Sequence, residues 1–126
     1  MCGISGELSF RGRAVRGENI KAMTDAIQHR GPDDEGILLE GPIGLGHQRL
    51  SILDVSSRSR QPMESFDGRM VIVFNGEVYN YRELYSELEA AGARFRTTSD
   101  TEVVVNAIRI WGLNDAVRRF IGMFAF

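Results

Sequence analysis

Residues 70–84 read MVIVFNGEVYNYREL, and the fold class turns on how that run divides. Met70 to Phe74 is a continuous apolar segment, best explained as a strand buried on both faces. It stops abruptly at Asn75-Gly76-Glu77. Asn80 followed by Glu83 has the spacing of a capping box, in which each side chain serves the other residue's backbone N–H at a helix start. Leu84, Tyr85, Leu88 and Ala91 then form one face of that helix, with Gly92 as its stop. Ser99 and Glu102 repeat the capping spacing, and Val103, Val104, Ala107, Ile108 and Trp111 make a second stripe that ends at Gly112. Both stripes need a sheet on which to bury, so strands mixed with helices predict an α+β layered domain.

Upstream, CGISGELSF (2–10) alternates as a first strand, and the glycine-flanked RGRAVRG after it is a turn region. Ile20, Met23 and Ile27 recur at helical spacing, which predicts a helix from Glu18 to about Gln28 with those three facing the core. Gly31-Pro32 must break it. Ile37 to Leu39 and Ile43 to Leu45, joined by Gly41-Pro42, predict a hairpin. VSSRSRQ (55–61) is a solvated loop on composition. Met123 to Phe126 reads as the opening of a buried strand, so a fragment truncated at its C-terminus is expected. There is no internal repeat and no sign of a second domain.

Composition narrows the function. With 126 residues, 43% hydrophobic and 25% charged, the chain can build one core. A net charge of -2 with interspersed signs leaves no footprint for nucleic acid or an anionic membrane, so a small partner is expected. No apolar run approaches a membrane span and no signal peptide opens the chain, which predicts a cytoplasmic protein. His29 and His47, with Asp33 or Asp34 nearby, fit no compact metal motif, and no metal is expected. Gly44 to His47 lacks the lysine and hydroxyl residue of a phosphate-binding loop.

The single cysteine, Cys2, follows the initiator methionine. If Met1 is removed, the thiol and a free α-amine share one residue, and the nucleophile brings its own base. Thiolate attack on an amide makes an oxyanion that needs fixed donors, which the Asn75 side chain and the Gly76 N–H could supply. On the dipeptide alone a tight turn is the better reading of Asn-Gly. A small amino-acid substrate would need a cation and an anion, for which Arg49 and Asp100 are candidates. Taken singly, each is better read blandly, Arg49 as a surface ion-pair partner and Asp100 as a helix-dipole residue.

Jointly, the motifs MCGI, HRGPD (29–33), GHQRLSILD (46–54), QPM (61–63), NGEVYNYREL (75–84), SDTEV (99–103) and the final GMFAF resemble the class II glutamine amidotransferases. The asparagine synthetase type is the nearest likeness. That resemblance implies an N-terminal-nucleophile hydrolase with a four-layer α/β/β/α sandwich, present here as residues 1–126, the N-terminal part of a type 2 domain. It implies Cys2 as nucleophile, Asn75 and Gly76 as oxyanion hole, and Arg49 and Asp100 on the substrate's carboxylate and ammonium. Glu77 and main-chain atoms of Leu50 and Ile52 would complete the pocket. The implied reaction hydrolyses L-glutamine through a γ-glutamyl thioester to glutamate and ammonia, which passes to a synthetase domain absent from these residues. No cofactor is implied in this segment; ATP and Mg belong to that other domain. A shortened sheet would leave a fragment either poorly active or stable only by pairing its exposed edges with another copy, as a homo-oligomer. The competing readings are a non-catalytic regulatory or assembly module of the same fold, and an N-terminal cysteine acylase acting on another amide.

Overall fold

The computed structural model describes residues 2–51 and 57–126. The first half is a three-stranded antiparallel sheet in the order β1 (Gly3–Leu8), β3 (Ile43–Arg49), β2 (Asp34–Glu40). The β2–β3 hairpin turns at the expected Gly41-Pro42, but its ladder runs from Asp34↔Arg49 to Glu40↔Ile43, well beyond the short apolar runs. Its extra length carries Arg49 to the end of the sheet where Cys2 enters β1.

Helix α1 (Gly17–Ala26) lies on β1 and β3. Ile20 is fully buried, yet Met23 and Ile27 are only half-buried, and Thr24 takes the remaining core position. A threonine is tolerated there because its hydroxyl is satisfied: Oγ1 donates to the Ile20 carbonyl at 2.7 Å and pairs with Ser5 Oγ at 2.9 Å. The helix stops earlier than its spacing suggests and continues as a 3-10 turn, Gln28–Arg30, ahead of Gly31-Pro32.

The second half contains the larger core. The expected long strand over residues 70–74 is divided. Val71–Ile72 (β5) pairs only with Met63–Glu64 (β4), and Asn75–Val78 (β6) pairs with Gly122–Ala125 (β7). Met70 is 38% exposed, so burial on both faces holds only from Ile72 to Phe74. Asn75-Gly76 is not a turn but the first step of β6. The β6–β7 ladder continues into the loop, where Tyr79 N–H donates to the Ile121 carbonyl at 2.7 Å.

Helix α2 (Tyr81–Ala90) buries Leu84 and Leu88, with Ala93 rather than the exposed Ala91 completing the stripe. Its predicted capping box does not form. Asn80 instead donates from Nδ2 to the Arg119 carbonyl at 2.9 Å and accepts at Oδ1 from Ile121 N–H at 2.9 Å. The capping spacing was met, but the tertiary contact outcompeted it. Helix α3 (Asp100–Trp111) is capped as expected, with Ser99 Oγ accepting from Glu102 N–H at 3.3 Å. The Glu102 carboxylate does not close the box; it accepts from the backbone of Arg96 and Thr97 and from Thr97 Oγ1 at 2.6 Å.

Every residue of α3 from Asp100 to Ala107 is buried, not just one stripe, because α2, β4, β6 and α4 (Leu113–Arg119) surround it. Trp111 is half-buried under the Arg119 guanidinium, 4.2 Å above its ring. Phe74 at 2% exposure stacks near Phe124, which meets Phe120 edge to face. Burying a side chain of this kind contributes about 1.5–3 kcal/mol. Strand β7 carries only Phe124 inward, while Met123 is 65% and Phe126 43% exposed, so GMFAF is not buried here as a strand interior.

Candidate active site

Cys2 sits immediately ahead of the Gly3↔Gln48 pair, which brings it beside the end of β3. The Leu50 N–H donates to Sγ at 3.4 Å, and the Leu50 carbonyl lies 3.7 Å from the same sulfur. Arg30 fixes the backbone by donating from Nε to the Cys2 carbonyl at 3.0 Å. The thiol is half-buried. Arg49, the last residue of β3, is 6% exposed and so is buried rather than on the surface.

Across a pocket of about 190 Å³ stand Asn75, Gly76 and Glu77 on β6 and Asp100 at the start of α3. Gly76 is required by packing: a Cβ there would lie 2.2 Å from the Met123 carbonyl on β7. The side-chain oxygen of Asn75 is buried and has no partner among the described residues. That costs about 1–3 kcal/mol, a cost relieved by turning the amide or by a ligand's donor. Asp100 Oδ2 accepts from Val78 N–H at 3.0 Å, so the carboxylate does more than favour a helix dipole: it ties α3 to β6. Burial raises its pKa above the ordinary carboxylate value, the Val78 and Thr101 N–H groups oppose the shift, and the nearby Glu77 charge adds to it. A cation entering the pocket would find this carboxylate, only 6% exposed, poorly hydrated.

Cys2, Arg49, Leu50, Asn75, Gly76, Glu77 and Asp100 therefore line one pocket. Ile52 lies outside the described residues. The wall also includes Ser59, Gln61, Ser99 and Thr101. Ser59 and Gln61 come from the segment expected to be a solvated loop, and there the expectation fails. Arg58 and Arg60 are exposed, Arg60 paired with Asp34 at 2.8 Å, while Ser59 and Gln61 are 3% and 5% exposed. Residues 58–61 alternate out and in, and charge composition hides that alternation. The QPM and SDTEV strings were the available signal for Gln61, Ser99 and Thr101.

His47 is buried on β3, and its Nε2 lies 3.2 Å from the Phe74 carbonyl. Burial drives its pKa down to about 4, so the imidazole is neutral and ties β3 to the strand end that bears Asn75.

The family profile described as a glutamine amidotransferase domain matches residues 1–126. The chain belongs to that family. It is 43% identical over 129 residues to asparagine synthetase [glutamine-hydrolyzing] 1 of Bacillus subtilis, with all of the chain and 20% of the relative aligned. It is 40% identical to asparagine synthetase [glutamine-hydrolyzing] 3 of the same organism, covering all of the chain and 21% of that relative. It is 38% identical over 137 residues to amidase chyE of Penicillium rubens, again with all of the chain and 20% of the relative. The chain spans between a fifth and about a quarter of the length of curated asparagine synthetases that it matches. Among its described residues no helix is long and apolar enough to cross a membrane. Nor do any three His, Cys, Asp or Glu side chains there converge as metal ligands.

Proposed function

We propose that this domain is the glutamine-hydrolysing part of an asparagine-synthetase-like amidotransferase, folded as an N-terminal-nucleophile hydrolase over residues 1–126. The observation that carries the reading is the convergence of Cys2, Asn75, Gly76, Arg49 and Asp100 on one pocket. Support for the layered α/β/β/α sandwich comes from α1 packing on one sheet and from α3, backed by α2, lying against β4 and β6.

Removal of Met1 frees the Cys2 α-amine. L-glutamine enters with its carboxylate on Arg49 and its ammonium on Asp100 and Glu77, with main-chain groups of Leu50 and Ile52 along its side. The neutral amine takes the thiol proton, and sulfur attacks the side-chain amide carbon. Negative charge moves to the amide oxygen, toward the Asn75 amide and the Gly76 N–H. The C–N bond then breaks as the ammonium returns its proton to the leaving nitrogen, yielding ammonia and the γ-glutamyl thioester. Water, deprotonated by the same amine, cleaves the thioester to glutamate and regenerates the thiol. In this reading ammonia passes to a synthetase domain, and ATP and Mg serve that domain. A cytoplasmic protein that assembles with further copies and uses neither nucleic acid nor membrane completes the proposal.

The test is intact mass and peptide mapping after incubation with a glutamine-like diazoketone that alkylates activated thiols. Loss of Met1 and one adduct on Cys2, blocked by excess glutamine, is the expected result. A processed Cys2 that stays unlabelled while no glutamate is released would sink the reading.

A further inference from the structure

We propose that Gln61 is a positioning residue that sets the oxyanion donors and couples them to the ammonium-binding end of the pocket; this rests on the hydrolase reading above. The chain leaves β5 after Ile72 and joins β6 only at Asn75, so Phe74 lies in a gap with no strand partner. A buried backbone N–H and carbonyl cannot stay unpaired. Two side chains substitute for the missing ladder. Gln61 Oε1 accepts from Phe74 N–H at 2.6 Å, and His47 Nε2 meets the Phe74 carbonyl at 3.2 Å.

Asn75, the next residue, has no partner for its side-chain oxygen among the described residues, so no described group orients the amide through that atom. Its placement comes from the main chain, held on one side by β7 and on the other by the Phe74 clamp. The other end of the Gln61 amide donates from Nε2 to Thr101 Oγ1 at 3.3 Å, one residue beyond Asp100. A single carboxamide thus spans both halves of the site. Gln61 is itself fixed: its carbonyl abuts β2 so closely that a Cβ on Gly36 would stand 1.8 Å from it. The Gln61 carboxamide carries, at opposite ends of one planar group, both the acceptor that Phe74 needs and the donor that Thr101 accepts.

Two substitutions in the intact protein separate the two bonds. Gln61→Met keeps the volume and removes both; Gln61→Glu keeps the acceptor for Phe74 and, as a carboxylate, removes the donor for Thr101. Displacing the donors should lower kcat for glutamine hydrolysis about 10²-fold in Gln61→Met. Alkylation of Cys2 by iodoacetamide, which develops no oxyanion, should stay within about threefold of the parent. Gln61→Glu should raise KM about tenfold with kcat nearly kept. A folded Gln61→Met whose kcat is near parental, or whose alkylation falls along with kcat, overturns the proposal. If that variant does not fold, Gln61→Glu decides: an unchanged KM, or a kcat loss as large as the KM rise, overturns it. Amide hydrogen exchange at Phe74 to Gly76 should quicken about tenfold in Gln61→Met whatever the activity. Unchanged exchange there defeats the clamp, whereas a parent protein that hydrolyses no glutamine defeats only the hydrolase reading.

Discussion

At the scale of single residues, the pocket holds its chemistry at the expense of stability. Asp100 has its pKa raised, chiefly by burial, so the native state takes up a proton more readily than the unfolded chain. Its contribution to stability is therefore present at low pH and is lost as pH rises through the native value. Asp100→Asn keeps an oxygen for Val78 N–H, so thermal unfolding at pH 7 should come no lower than in the parent. KM for glutamine should rise roughly 10²-fold, because a desolvated charge partner is gone. A lower melting temperature with an unchanged KM would show Asp100 to be structural. His47 has the opposite sign: its native pKa is depressed to about 4, so protons bind the unfolded chain first as pH falls below the ordinary imidazole value. Stability should drop by about 2 kcal/mol from pH 7 to pH 5 on this account. His47→Gln should remove most of that dependence in urea titrations at the two pH values. An equal slope in the variant would assign the loss to other groups.

At the scale of elements, α3 shows why one legible helix signal formed and another did not. Ser99 and Asn80 begin identical spacings, yet only Ser99 caps its helix. Ser99 is 5% exposed, packed against Thr97 and Glu102, with no competing partner beyond that turn; Asn80 faces the α4–β7 connection, whose backbone groups it satisfies. Ser99→Ala should cost about 1 kcal/mol of unfolding free energy, read as a lower urea midpoint at constant slope. No change in midpoint would mean that the Glu102 network alone holds the helix start. The burial of α3 on all sides was hidden for a related reason. Its polar residues, Asp100, Thr101, Glu102 and Asn106, do not form a solvent face: each has a hydrogen-bond partner inside the fold, and Asn106 accepts from Phe66 N–H.

At the scale of the whole molecule, the site is assembled from the start of β1, the end of β3, β6 and the start of α3, which lie in separately hydrogen-bonded sheets and a helix. A ligand bridging Arg49 and Asp100 therefore joins the two halves. In a Cys2→Ala background, glutamine at about a hundred times its Kd should add about 2.7 kcal/mol. For a domain of this size that is a rise in Tm of roughly 10 °C. Adding Arg49→Ala should abolish the shift; a shift of the same size would place the ligand elsewhere.

The sequence by itself determined the α+β class, the hairpin, the three amphipathic helices and the identity of the residues around Cys2, because apolar period, glycine stops and short motifs are local properties. It did not determine the division of residues 70–78 between two sheets, the inward turn of Ser59 and Gln61, or the helix α4. Those depend on which partner each backbone group finds. Phe74 could have continued a strand, but Gln61 and His47 reach it from distant segments and hold it in the gap. The order of motifs therefore named the chemistry, while hydrogen bonds between residues far apart in the chain decided the geometry on which that chemistry depends.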